Sequence, residues 1–172
     1  VWLAGLLLMA GYTLLSAVRT RRRLRYVRRC PDGAFEGEGL PTAFVFGVLR
    51  PRICLPAGLD SVGRRYILLH EQTHVRQLDP LYKLLLWAAV CVHWFNPLCW
   101  LMFRLAGDDI ERACDERTLR GAEPSVRAAY SAALLHFASG HRVWNGSPVL
   151  FAESHTKGRI MSVLNYKKPA FW

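Results

Sequence analysis

The sequence predicts a mainly α-helical (α+β) protein with one short β-hairpin, preceded by a transmembrane helix. Three observations support this fold class. The first 18 residues carry no charged side chain, later segments repeat apolar residues at helical spacing, and one segment alternates apolar residues around a turn. The length fits one modest domain, since 172 residues of which 52% are hydrophobic can bury a core.

Residues 1–18 are typical of the end of a truncated transmembrane helix. As an α-helix they would reach roughly 27 Å, against a bilayer core of about 30 Å. Seven arginines follow between Arg19 and Arg29 and account for most of the net charge of +10. The positive-inside rule therefore places this end of the helix in the cytoplasm. A nucleic-acid patch is the weaker alternative, because aromatic residues are scarce among these arginines.

After the arginines, the sequence predicts a linker and then a hairpin. Residues 30–40 are rich in glycine and acidic residues, which indicates a linker leaving the membrane. Residues 42–56 alternate apolar residues around an Arg-Pro turn. This pattern predicts two paired strands, at 43–48 and 52–55.

Helix signals follow the hairpin. A helix is predicted at 64–78, which Pro80 must end. A helix with an acidic first turn is predicted at 107–121, and Pro124 opens another.

Between these helices, residues 84–103 contain no Asp, Glu, Lys or Arg and could cross a bilayer as one helix. Pro97, however, lacks an N–H and clashes with the preceding helical turn. We therefore predict two helical pieces, 81–94 and 97–106, that meet at Phe95-Asn96 and bend back. The bend would let the acidic helix pack against the helix that precedes Pro80.

The stretch "LLHEQTHVRQLDP" carries two histidines four residues apart, with a glutamate beside the first. Residues four apart share one face of a helix, so His70 and His74 can direct two nitrogens at one zinc ion, about 2.0–2.1 Å away. Glu71 can reach a water at that ion and act as a general base, which is the logic of HExxH motifs. The motif alone is weak evidence, because a solvated helical face produces the same pattern by chance.

A catalytic zinc also needs a third protein ligand, and the acidic helix offers Glu111. Asp115, one turn later on the same face, could accept the second N–H of a ligating histidine. The alternative is an exposed face whose carboxylates pair with Arg112 and Arg117. Cys114 faces roughly the same way and could compete as a ligand, although a small packed thiol is the favoured interpretation.

Four ordered motifs carry a family resemblance: "VLRPRICLP", "LLHEQTHVRQLDP", "WFNPLCW" and "DIERACDE". Together they resemble the integral-membrane zinc peptidases of the BlaR/MecR type, sensor-transducers and antirepressors of β-lactam resistance. The resemblance covers roughly residues 40–138 and implies a gluzincin that binds Zn²⁺. It implies that His70, His74 and Glu111 are the ligands, that Glu71 is the general base and that Asp115 supports the site.

The resemblance and the charge pattern together predict the domain organisation. We expect a truncated transmembrane helix at 1–18, a basic cytoplasmic linker at 19–40 and a zinc metallopeptidase domain at 41–140. A basic tail at 141–172 would lead to a further segment. The zinc site would lie on the cytoplasmic side of a multi-pass protein of the bacterial cytoplasmic membrane.

The function expected is that of a zinc endopeptidase that cleaves a cytoplasmic protein, itself included, to pass a signal or relieve repression. The segment "NYKKPAFW", residues 165–172, is the expected region of self-cleavage. The alternative is a catalytically silent membrane module in which zinc only ties two helices together. The expected partners are a protein substrate, such as a transcriptional repressor or the chain itself, and the lipid bilayer. A homodimer is compatible with the sequence, and a nucleic-acid partner is disfavoured.

Overall fold

The computed structural model describes residues 1–40, 42–120 and 125–132. The basic tail and the predicted self-cleavage segment lie outside these ranges. In chain order the elements are α1 (Trp2–Arg23), β1 (Arg28–Arg29), β2 (Phe35–Gly37), β3 (Phe44–Phe46), β4 (Arg52–Pro56), α2 (Ser61–Arg76), α3 (Asp79–Val92), α4 (Pro97–Thr118) and α5 (125–132). The mainly helical fold class with a small sheet is therefore confirmed.

The sheet has four strands in the order β1-β2-β4-β3. The predicted hairpin is confirmed as β3 and β4, which pair antiparallel with Phe44 opposite Cys54. Strand β2, which pairs parallel with β4, was not predicted from the sequence. Residues 30–40, predicted as a linker, thus contain a sheet strand that is too short to show a periodic pattern.

The sheet packs against α2 through a small apolar cluster. Ala34 and Leu55 from the sheet side and Ile67 from α2 are buried together. Arg64, one turn earlier on α2, forms ion pairs with Asp32 at 2.9 Å and with Glu36 at 2.6 Å. These contacts fix α2 to the strands that surround β4.

Helix α2 begins and ends close to the predicted positions. The Asp60 side chain caps its start by accepting a hydrogen bond from the Gly63 N–H at 3.2 Å. At the other end Leu78 adopts a left-handed conformation, with φ of 59°, and turns the chain. Pro80 then lies in the first turn of α3, where its missing N–H costs no hydrogen bond.

The predicted break after the apolar run is confirmed, since α3 ends at Val92 and α4 begins at Pro97. Asn96 caps α4 by accepting a hydrogen bond from the Leu98 N–H at 3.0 Å. The prediction of a separate helix at 107–121 is wrong, because α4 continues without interruption to Thr118. A single glycine, Gly107, weakens a helix without ending it.

Helix α1 packs antiparallel to α3. The Trp2 indole donates to the Val92 carbonyl at 2.9 Å, and the Trp87 indole donates to the Thr13 hydroxyl at 2.9 Å. The turn between α3 and α4 therefore lies beside the N-terminal end of α1. Within the described residues, Trp2–Tyr26 is the one helical segment whose length and apolar character suit a membrane span.

Candidate metal centre

Helix α2 places both predicted histidines on one buried face. The exposed fractions of His70 and His74 are 4% and 6%, and that of Glu71 is 7%. The two Nε2 atoms lie 3.0 Å apart, with the rings nearly perpendicular. One turn of helix thus brings two potential ligand atoms to a single point, as the four-residue spacing predicts.

Helix α4 brings the predicted carboxylate to the same point. Glu111 Oε2 lies 3.5 Å from the Nε2 atom of His70 and 3.5 Å from that of His74. The point in the plane of the three atoms that is equidistant from them lies about 1.9 Å from each, so an ion slightly above that plane would lie about 2.0–2.2 Å from each donor. The three donor atoms are therefore spaced as ligands of one metal ion would be.

The other nitrogen of each histidine is held by an acidic group. His74 Nδ1 donates to Asp79 Oδ2 at 2.6 Å. His70 Nδ1 lies 3.3 Å from Asp115 Oδ1 and 2.9 Å from the Tyr130 hydroxyl, which itself donates to Asp115 at 2.6 Å. These contacts fix the ring orientations, so that both Nε2 atoms face Glu111.

The supporting role of two of these residues was not predicted from the sequence. Asp79 stands in the "LDP" of the quoted motif, and its position five residues after His74 was the available signal. Tyr130 belongs to α5 and no motif marks it, although its side chain is fully buried. Asp115, in contrast, lies where the sequence predicted it, against His70.

Two further side chains border the centre. Lys83 Nζ lies 2.8 Å from Glu111 Oε1, which leaves Oε2 facing the histidines. Cys114 is buried, and its thiol lies 3.4 Å from His70 Nδ1. His70, His74 and Cys114 also lie close enough together to offer a metal three ligand atoms. The chain thus presents a His-His-Glu set and a His-His-Cys set around the same two imidazoles.

The electrostatics of the cluster favour a cation. Burial lowers the pKa of His74, but hydrogen bonds to Asp79, Cys114 and Glu111 outweigh it and raise the pKa to about 11. The pKa of His70 is likewise raised well above its usual value, against the effect of burial. Burial raises the pKa of Cys114, yet hydrogen bonds to the two histidines bring it below the usual thiol value. Positive charge at the imidazoles is therefore strongly stabilised, and a metal ion would supply such charge.

Glu71 follows His70 directly on α2 and is buried. Burial first, and then the nearby Glu71 charge, raise the pKa of Cys54 on β4 to about 12. The Glu71 charge is therefore felt at a residue of β4, while Glu71 itself is the neighbour of His70 in the chain. Glu71 is not one of the three residues whose donor atoms form the triangle, and its role as general base stays a prediction.

Two histidines and a glutamate contributed by two helices beside a small sheet form the kind of centre that metal-dependent peptidases use. Comparison with known proteins agrees with this class. The family described as BlaR1 peptidase M56 matches residues 1–163, so the chain belongs to that metal-dependent peptidase family.

Curated relatives include two regulatory proteins of this type. The chain is 30% identical to the regulatory protein BlaR1 of Bacillus licheniformis over 138 residues, which are 74% of this chain and 22% of the relative. It is 28% identical to the methicillin resistance MecR1 protein of Staphylococcus aureus over 87 residues, 48% of this chain and 15% of the relative. The chain thus spans less than a quarter of the length of each of these relatives.

Proposed function

We propose that this chain is a membrane-bound zinc endopeptidase domain of the gluzincin class within a BlaR1/MecR1-like signalling or antirepressor protein. Its substrate would be a cytoplasmic protein, such as a transcriptional repressor, or the chain itself. The observation that carries the proposal is the triangle of His70, His74 and Glu111, whose edges of 3.0, 3.5 and 3.5 Å match a zinc coordination sphere. Family membership and the place of Glu71 in the HExxH motif support the same function.

In this proposal His70, His74 and Glu111 hold the zinc ion. The bound ion would lower the pKa of water and polarise the carbonyl of the scissile peptide bond. We favour Glu111 over Cys114 as the third ligand, because its oxygen lies 3.5 Å from both Nε2 atoms, whereas the thiol contacts His70 Nδ1, the nitrogen that also faces Asp115 and Tyr130.

Glu71 would take the proton from the attacking water as the water oxygen bonds to the carbonyl carbon. It would then pass that proton to the amide nitrogen as the carbon–nitrogen bond breaks. Asp79, Asp115 and Tyr130 keep the two imidazoles in the tautomer whose Nε2 lone pair points at the metal.

The contacts between α1 and α3 support a cytoplasmic location for the metal centre. Val92, at the end of α3, lies beside the N-terminal end of α1, and Trp87 of α3 lies near Thr13 of α1. Because the two helices run antiparallel, the start of α3 with Asp79 lies towards the arginine-rich end of α1. If α1 crosses the membrane by the positive-inside rule, the metal centre faces the cytoplasm. Large apolar side chains remain exposed on the surface that would face lipid: Leu3, Leu7, Leu8, Leu14, Leu15, Leu84, Leu85, Phe95, Leu98, Leu101 and Leu105.

The test is a Glu71→Gln substitution. Gln preserves size and helix but cannot accept the proton, so we expect zinc content to stay at the wild-type level while cleavage falls by a factor of about 10² or more. Metal analysis and a cleavage assay in membranes measure the two quantities. His74→Ala is the control, since it should lose both zinc and activity. Cleavage by Glu71→Gln at the wild-type rate would refute the peptidase mechanism.

The alternative is a catalytically silent module in which zinc only joins α2 to α4. The burial of Glu71 and both histidines favours it, since a closed site hinders substrate entry. The same experiment separates the two functions. A silent module would bind zinc yet cleave no protein in the wild type, and Glu71→Gln would leave its signalling output unchanged.

A further inference from the structure

A cavity of about 470 Å³ lies beside the C-terminal end of α1. Arg22 and Arg23 of α1 form one wall, and Gly37, Gly39 and Leu40, at and after the end of β2, form another. None of the lining residues belongs to the metal centre. The proposed peptidase function therefore leaves this cavity unexplained.

Two glycines, Gly37 and Gly39, belong to the wall that β2 and the following turn contribute. A Cβ on Gly37 would lie 2.7 Å from the Val27 side chain, so a larger residue there would push the wall apart. Gly39 has a φ of +77°, a conformation that L side chains rarely adopt, and the space beside it is open. The turn after β2 thus presents backbone at the two glycines, together with the exposed Glu38 and the buried Leu40 side chains.

The charge around the cavity is strongly positive. All seven arginines between residues 19 and 29 are exposed, and Glu38 is the one acidic residue among those that line the cavity. Guanidinium groups bind phosphate oxygens through paired hydrogen bonds, which makes paired arginines a natural phosphate site. The volume, within the roughly 300–1,000 Å³ of small-molecule sites, exceeds what a bare phosphate ion would fill.

The position of the cavity indicates the source of the phosphate. Arg22 and Arg23 stand in the last turn of α1, shortly after its apolar part ends at Val18, near the level where a membrane-spanning helix meets lipid headgroups. Tyr26, which also lines the cavity, is 91% exposed, and exposed tyrosines are enriched at that depth. Leu40 and Val27 offer an apolar floor beside the charged wall, which suits an amphiphile.

We propose that this cavity binds the phosphate-bearing headgroup of an anionic phospholipid of the cytoplasmic leaflet. Arg22 and Arg23 would contact the phosphate, while the open space beside Gly39 leaves room for the rest of the headgroup. The bound lipid would join α1 to the end of β2. This inference rests on α1 crossing the membrane and is independent of peptidase activity.

The test compares two double variants with equal loss of charge. Arg22→Gln with Arg23→Gln alters the cavity wall, whereas Arg25→Gln with Arg28→Gln removes two exposed arginines that do not line the cavity. Native mass spectrometry of the full chain in detergent would measure binding of phosphatidylglycerol and of phosphatidylcholine. Circular dichroism and zinc content would check that each variant is folded.

We expect the cavity variant to bind phosphatidylglycerol about tenfold or more weakly, because each arginine near a lipid phosphate contributes roughly a factor of five. The control variant should lose much less, and wild type should prefer phosphatidylglycerol over phosphatidylcholine. Equal losses in the two variants, or equal binding of the two lipids, would overturn the proposal. A final experiment adds inorganic phosphate at millimolar concentration to the protein with bound lipid. If the phosphate displaces the lipid completely, the ligand is a soluble phosphate compound and the lipid assignment is wrong.

Discussion

At the scale of single residues, the sharpest expectation concerns Asp79, which the sequence motif contains but does not explain. Its carboxylate accepts a 2.6 Å hydrogen bond from His74 Nδ1 and is itself buried. Asp79→Asn would replace the carboxylate by a weaker hydrogen-bond acceptor. The His74 imidazole would then be held less firmly in one orientation and one tautomer. We expect zinc affinity to fall by about 10–100-fold, the usual effect of losing such a partner.

Competition with a chelator of known zinc affinity would measure this change. Asp109→Asn is the matched control, since Asp109 lies on α4 with its side chain largely exposed, near Arg112. The control should bind zinc as wild type does. Unchanged zinc affinity in Asp79→Asn would show that the hydrogen bond does not orient a ligand.

The residues of the candidate site divide by how far they could be predicted. His70, Glu71 and His74 share one helical turn, so local geometry alone brings them together. Glu111 and Asp115 needed a long-range assumption, namely that the chain folds back at Pro97, and the structure brings both to the histidines. Their catalytic and ligand roles stay predictions.

Tyr130 could not be predicted, because its contact with His70 joins positions 60 residues apart. Its apolar neighbours on α5 predict only a buried helical face. The hydroxyl becomes informative only when α5 is placed beside α4, where it meets Asp115. Buried hydrogen bonds of this kind depend on tertiary packing, which a single sequence does not encode as a pattern.

At the scale of elements, the position of α2 depends on an arginine that joins it to the sheet. Arg64 pairs with both Asp32 and Glu36, and the three side chains are only partly exposed. Arg64→Met keeps the apolar stem but leaves two carboxylates without this partner. We expect the free energy of unfolding to fall by about 1–2 kcal/mol, with screening by solvent limiting the effect.

Chemical denaturation of the chain in detergent would measure this loss. Arg65→Met, at the next and exposed position of α2, is the control and should change stability by less than about 0.5 kcal/mol. A stronger effect for Arg65 than for Arg64 would contradict the role of these ion pairs. A fall in zinc affinity of Arg64→Met would further show that the sheet contact helps to position the histidines.

Elements were predicted best where a residue type restricts the backbone. Pro97 correctly predicted the break after α3, and the alternation around the Arg-Pro turn predicted the hairpin. The parallel strand β2 and the continuous α4 were missed for the opposite reason. A three-residue strand is specified by its partner β4, and a helix continues through Gly107 because packing of α4 against α2 and α3 outweighs its low propensity.

At the scale of the whole molecule, the question is whether α1 is only an anchor or part of the folded domain. Its polar contacts with α3 join residues more than 70 positions apart, through Trp2 and Trp87. Gly5 allows α1 to lie close against Trp94, since a Cβ there would lie 2.2 Å from the Trp94 ring. If these contacts hold the helices of the candidate metal centre against α1, then a movement of α1 would shift α3. Because α3 carries Asp79, that shift would be transmitted to His74.

Gly5→Val tests this coupling. The added side chain must displace the Trp94 indole, so we expect a loss of about 1–3 kcal/mol in stability from overpacking. Gly11→Val is the matched control, because a Cβ at Gly11 meets no atom within 4 Å and the helix and substitution are the same. Thermal unfolding in detergent and zinc retention during heating would be measured for both. If α1 is part of the fold, Gly5→Val releases zinc at a lower temperature than Gly11→Val does. Identical unfolding temperatures and identical zinc release in the two variants would mean that α1 anchors the domain without stabilising it. A signal passing along α1 would then need another route to the histidines.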